Sequence, residues 1–105
     1  MVNIIKSTEE FENLINGDKV VLIDLFATWC GPCRMIAPVI DAVAEKADGK
    51  YEVAKVDVDD LEEIAYQYGV SSIPTLLYFK GGKLLEKAVG LRGEEQIIET
   101  INKYL

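Results

Sequence analysis

An α/β fold, with a central mixed sheet of five strands flanked by four helices, follows from three observations. Val20-Val21-Leu22-Ile23-Asp24-Leu25-Phe26-Ala27 is an almost unbroken apolar run, the pattern of a parallel-sheet strand covered on both faces. Strand-like and helix-like segments alternate through the first two thirds of the chain, which requires parallel neighbours joined by helical crossovers. Lys80-Gly81-Gly82-Lys83 joins two further strand-like runs, and Gly-Gly supplies the positive backbone angles of a tight hairpin, hence an antiparallel pair. The predicted order is β-α-β-α-β-α-β-β-α. At 105 residues the chain is read as one domain over 1–105, large enough for a core and too small for two.

Each element has a local cause. Ser7-Thr8-Glu9-Glu10 is a capping-box pattern that opens a short helix with Phe11, Leu14 and Ile15 inward. Asn16-Gly17-Asp18 is turn chemistry before the strand at 20–27. Met35, Ile36, Val39, Ile40 and Val43 recur at helical spacing in a helix from about Pro32 to Ala47. Pro38 within it lacks an amide proton and crowds the Arg34 carbonyl, so a kink is expected. Asp48-Gly49 ends that helix and Tyr51 to Val58 is the next strand. Asp59 or Asp60 is expected to cap a helix burying Leu61, Ile64, Ala65 and Tyr68, with Gly69 as its stop. Thr75–Phe79 and Leu84–Val89 form the hairpin. A last helix carries Glu94 and Glu95 in its first turn, Ile97, Ile98, Ile101 and Tyr104 inward, and Lys103 near its end, in accord with the helix dipole.

Composition removes whole classes of function. A net charge of −7, with nine of the eighteen acids before Val53 and nine after, gives a mixed acidic surface. Nucleic acid and anionic membrane both need a basic surface and are excluded. No apolar stretch reaches the length of a membrane span. Met1-Val2-Asn3-Ile4-Ile5-Lys6 is too short for a signal peptide, so a reducing, cytoplasmic location is expected. The chain has no histidine, so proton transfer must use a carboxylate, a lysine, a thiol or water.

Both cysteines lie in Trp29-Cys30-Gly31-Pro32-Cys33, where the apolar strand ends and a helix begins. Two thiols at that spacing in a reducing compartment are catalytic or metal-binding before they are structural. Cys30 opens the helix, so unpaired amides and the positive dipole end favour its thiolate, which is the nucleophilic form. Gly31 leaves space for an incoming disulfide, and Pro32 suits a first helical turn. A structural zinc needs four ligands, and two sulfurs without histidine would require two carboxylates or a dimer sharing four thiolates. No metal or bound cofactor is expected. Asp24 is the one charged residue in its strand, and burial resists ionisation, raising its pKa toward neutrality as suits a general base.

Over its whole length the chain resembles the thioredoxin family. The resemblance rests on the element order, on Trp29-Cys30-Gly31-Pro32-Cys33 at the first strand–helix junction of the core, on Asp24 in the preceding strand, on Ile73-Pro74-Thr75 and on Val89-Gly90. It implies a protein-disulfide reductase and general electron donor in cell redox homeostasis. Cys30 would be the nucleophile and Cys33 the resolving thiol, whose proton Asp24 accepts through a water. Lys55 would moderate the pKa of Asp24; the lesser alternative for it is an exposed strand lysine. Pro74, trans by default, matches the cis-proline loop facing the cysteines, and leaves the Ile73 backbone free to pair with a substrate strand. Trp29, Gly31, Pro32, Ile73, Val89, Gly90 and Leu91 match the substrate-binding rim. Partners would be disulfide-containing proteins and a thioredoxin reductase or equivalent donor, met as a monomer.

Two departures stand out: Phe26 occupies a position where many family members have tryptophan, and Arg34 replaces a common lysine. Oxidase and isomerase relatives usually carry histidine between the cysteines, and Gly31-Pro32 points away from them. A thioredoxin fold used only as a binding module is disfavoured by retention of both thiols, Asp24 and Pro74.

Overall fold

A computed structural model describes residues 2–105. The elements are β1 (Asn3–Ile4), α1 (Thr8–Ile15), β2 (Val20–Phe26), α2 (Gly31–Glu45), β3 (Tyr51–Asp57), α3 (Glu62–Gln67), β4 (Thr75–Lys80), β5 (Lys83–Val89) and α4 (Glu94–Tyr104). The five strands lie in the order β1-β3-β2-β4-β5. β3 runs parallel to both β1 and β2, while β4 is antiparallel to β2 and β5. The predicted mixed sheet with four helices is therefore the observed architecture.

β2 is the central strand, and its alternation builds two cores. Val21, Ile23 and Leu25 join Phe11, Ile15, Ile64, Leu77 and Phe79 beneath α1 and α3. Val20 and Leu22 join Ile36, Ile40, Val43, Leu76, Ile97 and Ile101 beneath α2 and α4. Covering both faces of one strand demands apolar residues at odd and even positions, which is why the run lacks polar alternation. By the same two-residue period, Asp24 and Phe26 leave the sheet on the α2 side.

The helix caps follow local sequence at some ends and long-range contacts at others. Ser7 Oγ accepts from the Glu10 amide at 3.1 Å, but Glu10 reaches past Ser7 to accept from the Lys6 amide at 2.7 Å, so half of the capping box forms. Neither Asp59 nor Asp60 caps α3; Leu61 stands at that position with no side-chain bond. Asp57 Oδ1 instead accepts from the Asp59 amide at 2.9 Å, and the Asp59 carboxylate is engaged elsewhere. Gly69 ends the turn after α3 at φ +65°, and Gly81 and Gly82 make the hairpin at +60° and +79°. α2 continues through the exposed Pro38. Met35, grouped by helical spacing with the apolar residues of α2, is 67% exposed and off the inner face. Ile36, Ile40 and Val43 define that face, and a residue one step earlier is turned about 100° away.

Candidate active site

The end of β2 and the start of α2 fix the sulfurs. After Phe26 the chain turns, with the Cys30 amide donating to the Ala27 carbonyl at 3.2 Å, and Cys30 becomes the N-cap of α2. Its Sγ accepts from the Cys33 amide at 3.2 Å, so one unpaired donor of the first helical turn points at sulfur. The two cysteines are joined in a disulfide with Cα atoms 5.3 Å apart, and both are largely buried. Ala27 packs beside them, with Phe26, Val58 and Ile73 around.

Asp24 lies on the strand below, fully buried, with neither carboxylate oxygen hydrogen-bonded. Desolvation pushes its pKa from an ordinary 3.8 up to about 6, and the Lys55 ammonium pulls the other way. Lys55 is the residue of β3 in register with Asp24. It is half-buried rather than freely exposed, and its Nζ stands 4.6 Å from the centre of the Phe26 ring.

The Ile73–Pro74 peptide bond is cis, as the resemblance implied and the sequence default did not. The Ile73 carbonyl oxygen lies 3.8 Å from Cys30 Sγ. Neither the amide nor the carbonyl of Ile73 makes a backbone hydrogen bond among the described residues. The Gly90 amide donates to the Pro74 carbonyl at 2.9 Å, with Gly90 at φ +91°, so the Val89-Gly90-Leu91 segment is tied to the same loop.

Trp29 is 68% exposed, and its Nε1 donates to Asp59 Oδ2 at 2.8 Å. The indole forms one wall of a groove of about 420 Å³ with Val58, Ala65, Tyr66, Val70 and Ile73, and Glu62 at its edge. Tyr66 is 90% exposed there. Asp59, Tyr66 and Val70 were missed from sequence. Tyr66 carried a usable signal, being an aromatic off the buried Ile64 stripe of α3; Asp59 carried none, because its partner is thirty positions away.

A family model for thioredoxin matches residues 2–103. The chain belongs to the thioredoxin family. It is 43% identical over 102 residues to the thioredoxin of Bacillus subtilis (97% of this chain, 98% of that one) and 44% identical over 94 residues to thioredoxin 1 of a Nostoc species (90% and 88%). Among solved structures, thioredoxin from Malassezia sympodialis superposes with a TM-score of 0.90 at 38% identity, covering 99% of this chain and 90% of that one. Thioredoxin from Fasciola hepatica does so with a TM-score of 0.90 at 38% identity, covering 99% and 100%. Like its relatives, this thioredoxin-family chain is a thiol-disulfide oxidoreductase that reduces protein disulfides by reversible exchange at Cys30 and Cys33. Its redox group is that disulfide. Among the described residues, no cluster of three or more cysteine, aspartate or glutamate side chains is placed to hold a metal ion, and no helix is long and apolar enough to cross a membrane.

Proposed function

We propose that the two cysteines have unequal roles, with Cys30 attacking substrate and Cys33 resolving the complex. The observation carrying this reading is that Cys30, not Cys33, caps α2 and receives its amide, while the buried Asp24 lies on the sheet face that α2 covers. From the reduced pair, the Cys30 thiolate attacks one sulfur of a substrate disulfide; a mixed disulfide forms and the other substrate sulfur leaves as a thiolate. Cys33 then gives its proton to the Asp24 carboxylate, whose pKa of about 6 suits a base near neutral pH. The Cys33 thiolate attacks Cys30 Sγ, and the second substrate sulfur departs. The substrate gains two electrons and, with solvent, two protons; the pair becomes the disulfide of this structure. A reductase or an external dithiol supplies the two electrons that reset it.

Lys55 moderates Asp24, and Ile73, held by Pro74, offers its free amide and carbonyl to an extended substrate segment beside Cys30. Trp29, Val89 and Leu91 form the apolar rim, with Gly31, Pro32 and Gly90 leaving room for backbone approach. The chain works in the cytoplasm as a monomeric single domain over 1–105, with disulfide-containing proteins and a thioredoxin reductase or equivalent donor as partners.

Turnover of a protein disulfide with a dithiol donor tests the reading. Cys33→Ser should accumulate a mixed disulfide through Cys30, and Cys30→Ser should trap nothing. A mixed disulfide mapped by mass spectrometry to Cys33 in Cys30→Ser would reverse the assignment.

A further inference from the structure

Phe26 follows Asp24 by two residues on β2, so both side chains leave the same face of the sheet. Lys55 is in register with Asp24 on the parallel strand β3 and shares that face, as does Asp57, which is in register with Phe26. A lysine there can place its ammonium on the Asp24 carboxylate, on Asp57 or in water. It takes none of these exclusively: Nζ sits 4.6 Å from the Phe26 ring centre, and no ion pair within 4.0 Å joins it to either carboxylate. Both Asp24 oxygens remain free of hydrogen bonds.

Among the described residues, the other surroundings of Asp24 carry no rival charge. β4 places Leu76 in register with it, and α2 buries Cys33, Ile36, Ile40 and Val43. The charged residues of α2, namely Arg34, Asp41 and Glu45, are exposed, and the disulfide does not titrate. Among the described residues, Lys55 is the charged group that acts on the Asp24 carboxyl.

We propose that Phe26 is a positioning residue for disulfide exchange, its ring holding the Lys55 ammonium beside Asp24 and so acting on the base through the lysine. An aromatic face attracts a cation without occupying a carboxylate oxygen. A direct Lys55–Asp24 pair would tie up the acceptor and weaken it as a base; an ammonium lost to water would leave Asp24 protonated when Cys33 needs it. The ring maintains a state between these two. Without it, the flexible stem of Lys55 carries the charge toward Asp57 or solvent, away from Asp24.

This inference rests on the reading of Asp24 as proton acceptor, so its test reads the geometry apart from activity. In the oxidised protein, the Asp24 carboxyl carbon is titrated by NMR in the parent, in the ringless variants Phe26→Leu and Phe26→Met, in Lys55→Met, and in the Phe26→Leu/Lys55→Met double variant. Loss of the ring should raise the Asp24 pKa by roughly half a unit. Lys55→Met should raise it at least as far, and Phe26→Leu should add nothing on top. Phe26→Tyr should restore the parent value. The Lys55 Hε protons of the parent, which needs no substitution, should show an upfield ring-current shift that Phe26→Leu abolishes. An unshifted Lys55 resonance in the parent overturns the proposal. So does a fall in the Asp24 pKa on loss of the ring, or a rise that persists in the Lys55→Met background. Resolution of the mixed disulfide at the parent rate in Asp24→Asn, with these shifts intact, would instead overturn the role of Asp24 and leave the Phe26–Lys55 geometry standing.

Discussion

Replacing Asp24 by asparagine should stabilise the folded oxidised protein, by an amount that depends on pH in a defined way. Burial without a hydrogen bond raises the Asp24 pKa from 3.8 to about 6. That difference is roughly two units, each worth about 1.4 kcal/mol, so keeping the charge at neutral pH costs about 3 kcal/mol of stability. The direction follows from proton binding. Well below pH 3.8 the carboxyl is protonated in both folded and unfolded chains, and asparagine gains nothing. Between pH 4 and pH 6 the unfolded state releases its proton first, so the parent loses stability as pH rises while the variant does not. Above pH 6 the full difference persists. Urea unfolding of parent and Asp24→Asn at half-unit steps from pH 4 to pH 8 measures the curve. Constant contributions, such as the poorly partnered amide, displace it without altering its shape. A stability difference flat across this range would refute the argument, because it would mean that Asp24 ionises equally easily in both states.

Other consequences concern the rim and the hairpin. Asp59→Ala should free the Trp29 indole at a cost of about 1 kcal/mol. Because Trp29 is the sole tryptophan, its fluorescence anisotropy should fall, and an unchanged value would mean that the bond does not restrain the ring. Tyr66→Ser should raise KM for protein disulfides about fivefold, equivalent to about 1 kcal/mol, while leaving a small disulfide reagent unaffected; equal effects on both would remove Tyr66 from the docking wall. Gly82→Ala should destabilise by about 1–2 kcal/mol, since Gly82 sits at φ +79° and an added Cβ would lie 2.2 Å from Asn16 Oδ1. Asn16→Ala in that background should recover only the contact part, as read by thermal unfolding, and complete recovery would show that the backbone angle costs nothing.

Several features of the site were legible because their causes are local. A short apolar run rich in valine and isoleucine, bounded by turn residues, reads as a strand covered on both sides, which makes β2 central and places Cys30-Gly31-Pro32-Cys33 where it meets a helix. Two consecutive glycines can adopt the angles of the hairpin, and did so. The period of two decides that Asp24 shares a face with Leu22, and one charge in such a run already implies a raised pKa. The outward rotation of Met35 was also contained in the helical period, once Ile36, Ile40 and Val43 are taken as the inner stripe.

What tertiary structure decided is every relation between residues distant in the chain. The β2–β3 register puts Lys55 beside Asp24, and the packed chain sets its ammonium 4.6 Å from the centre of the Phe26 ring. The approach of the Ile73 carbonyl to Cys30, residues forty-three positions apart, comes about because β4 pairs with β2. Asp59 reads as a helix cap in the sequence, whereas in the fold its Oδ2 accepts from the Trp29 indole at 2.8 Å and Leu61 stands at the helix start. Hydrophobic period and turn chemistry act over a few residues, whereas burial, register and charge proximity belong to the packed chain. The sulfurs and the buried acid behind them were therefore visible in the sequence itself, whereas the register, contacts and distances that join them to Lys55, Phe26 and Ile73 belong to the packed chain.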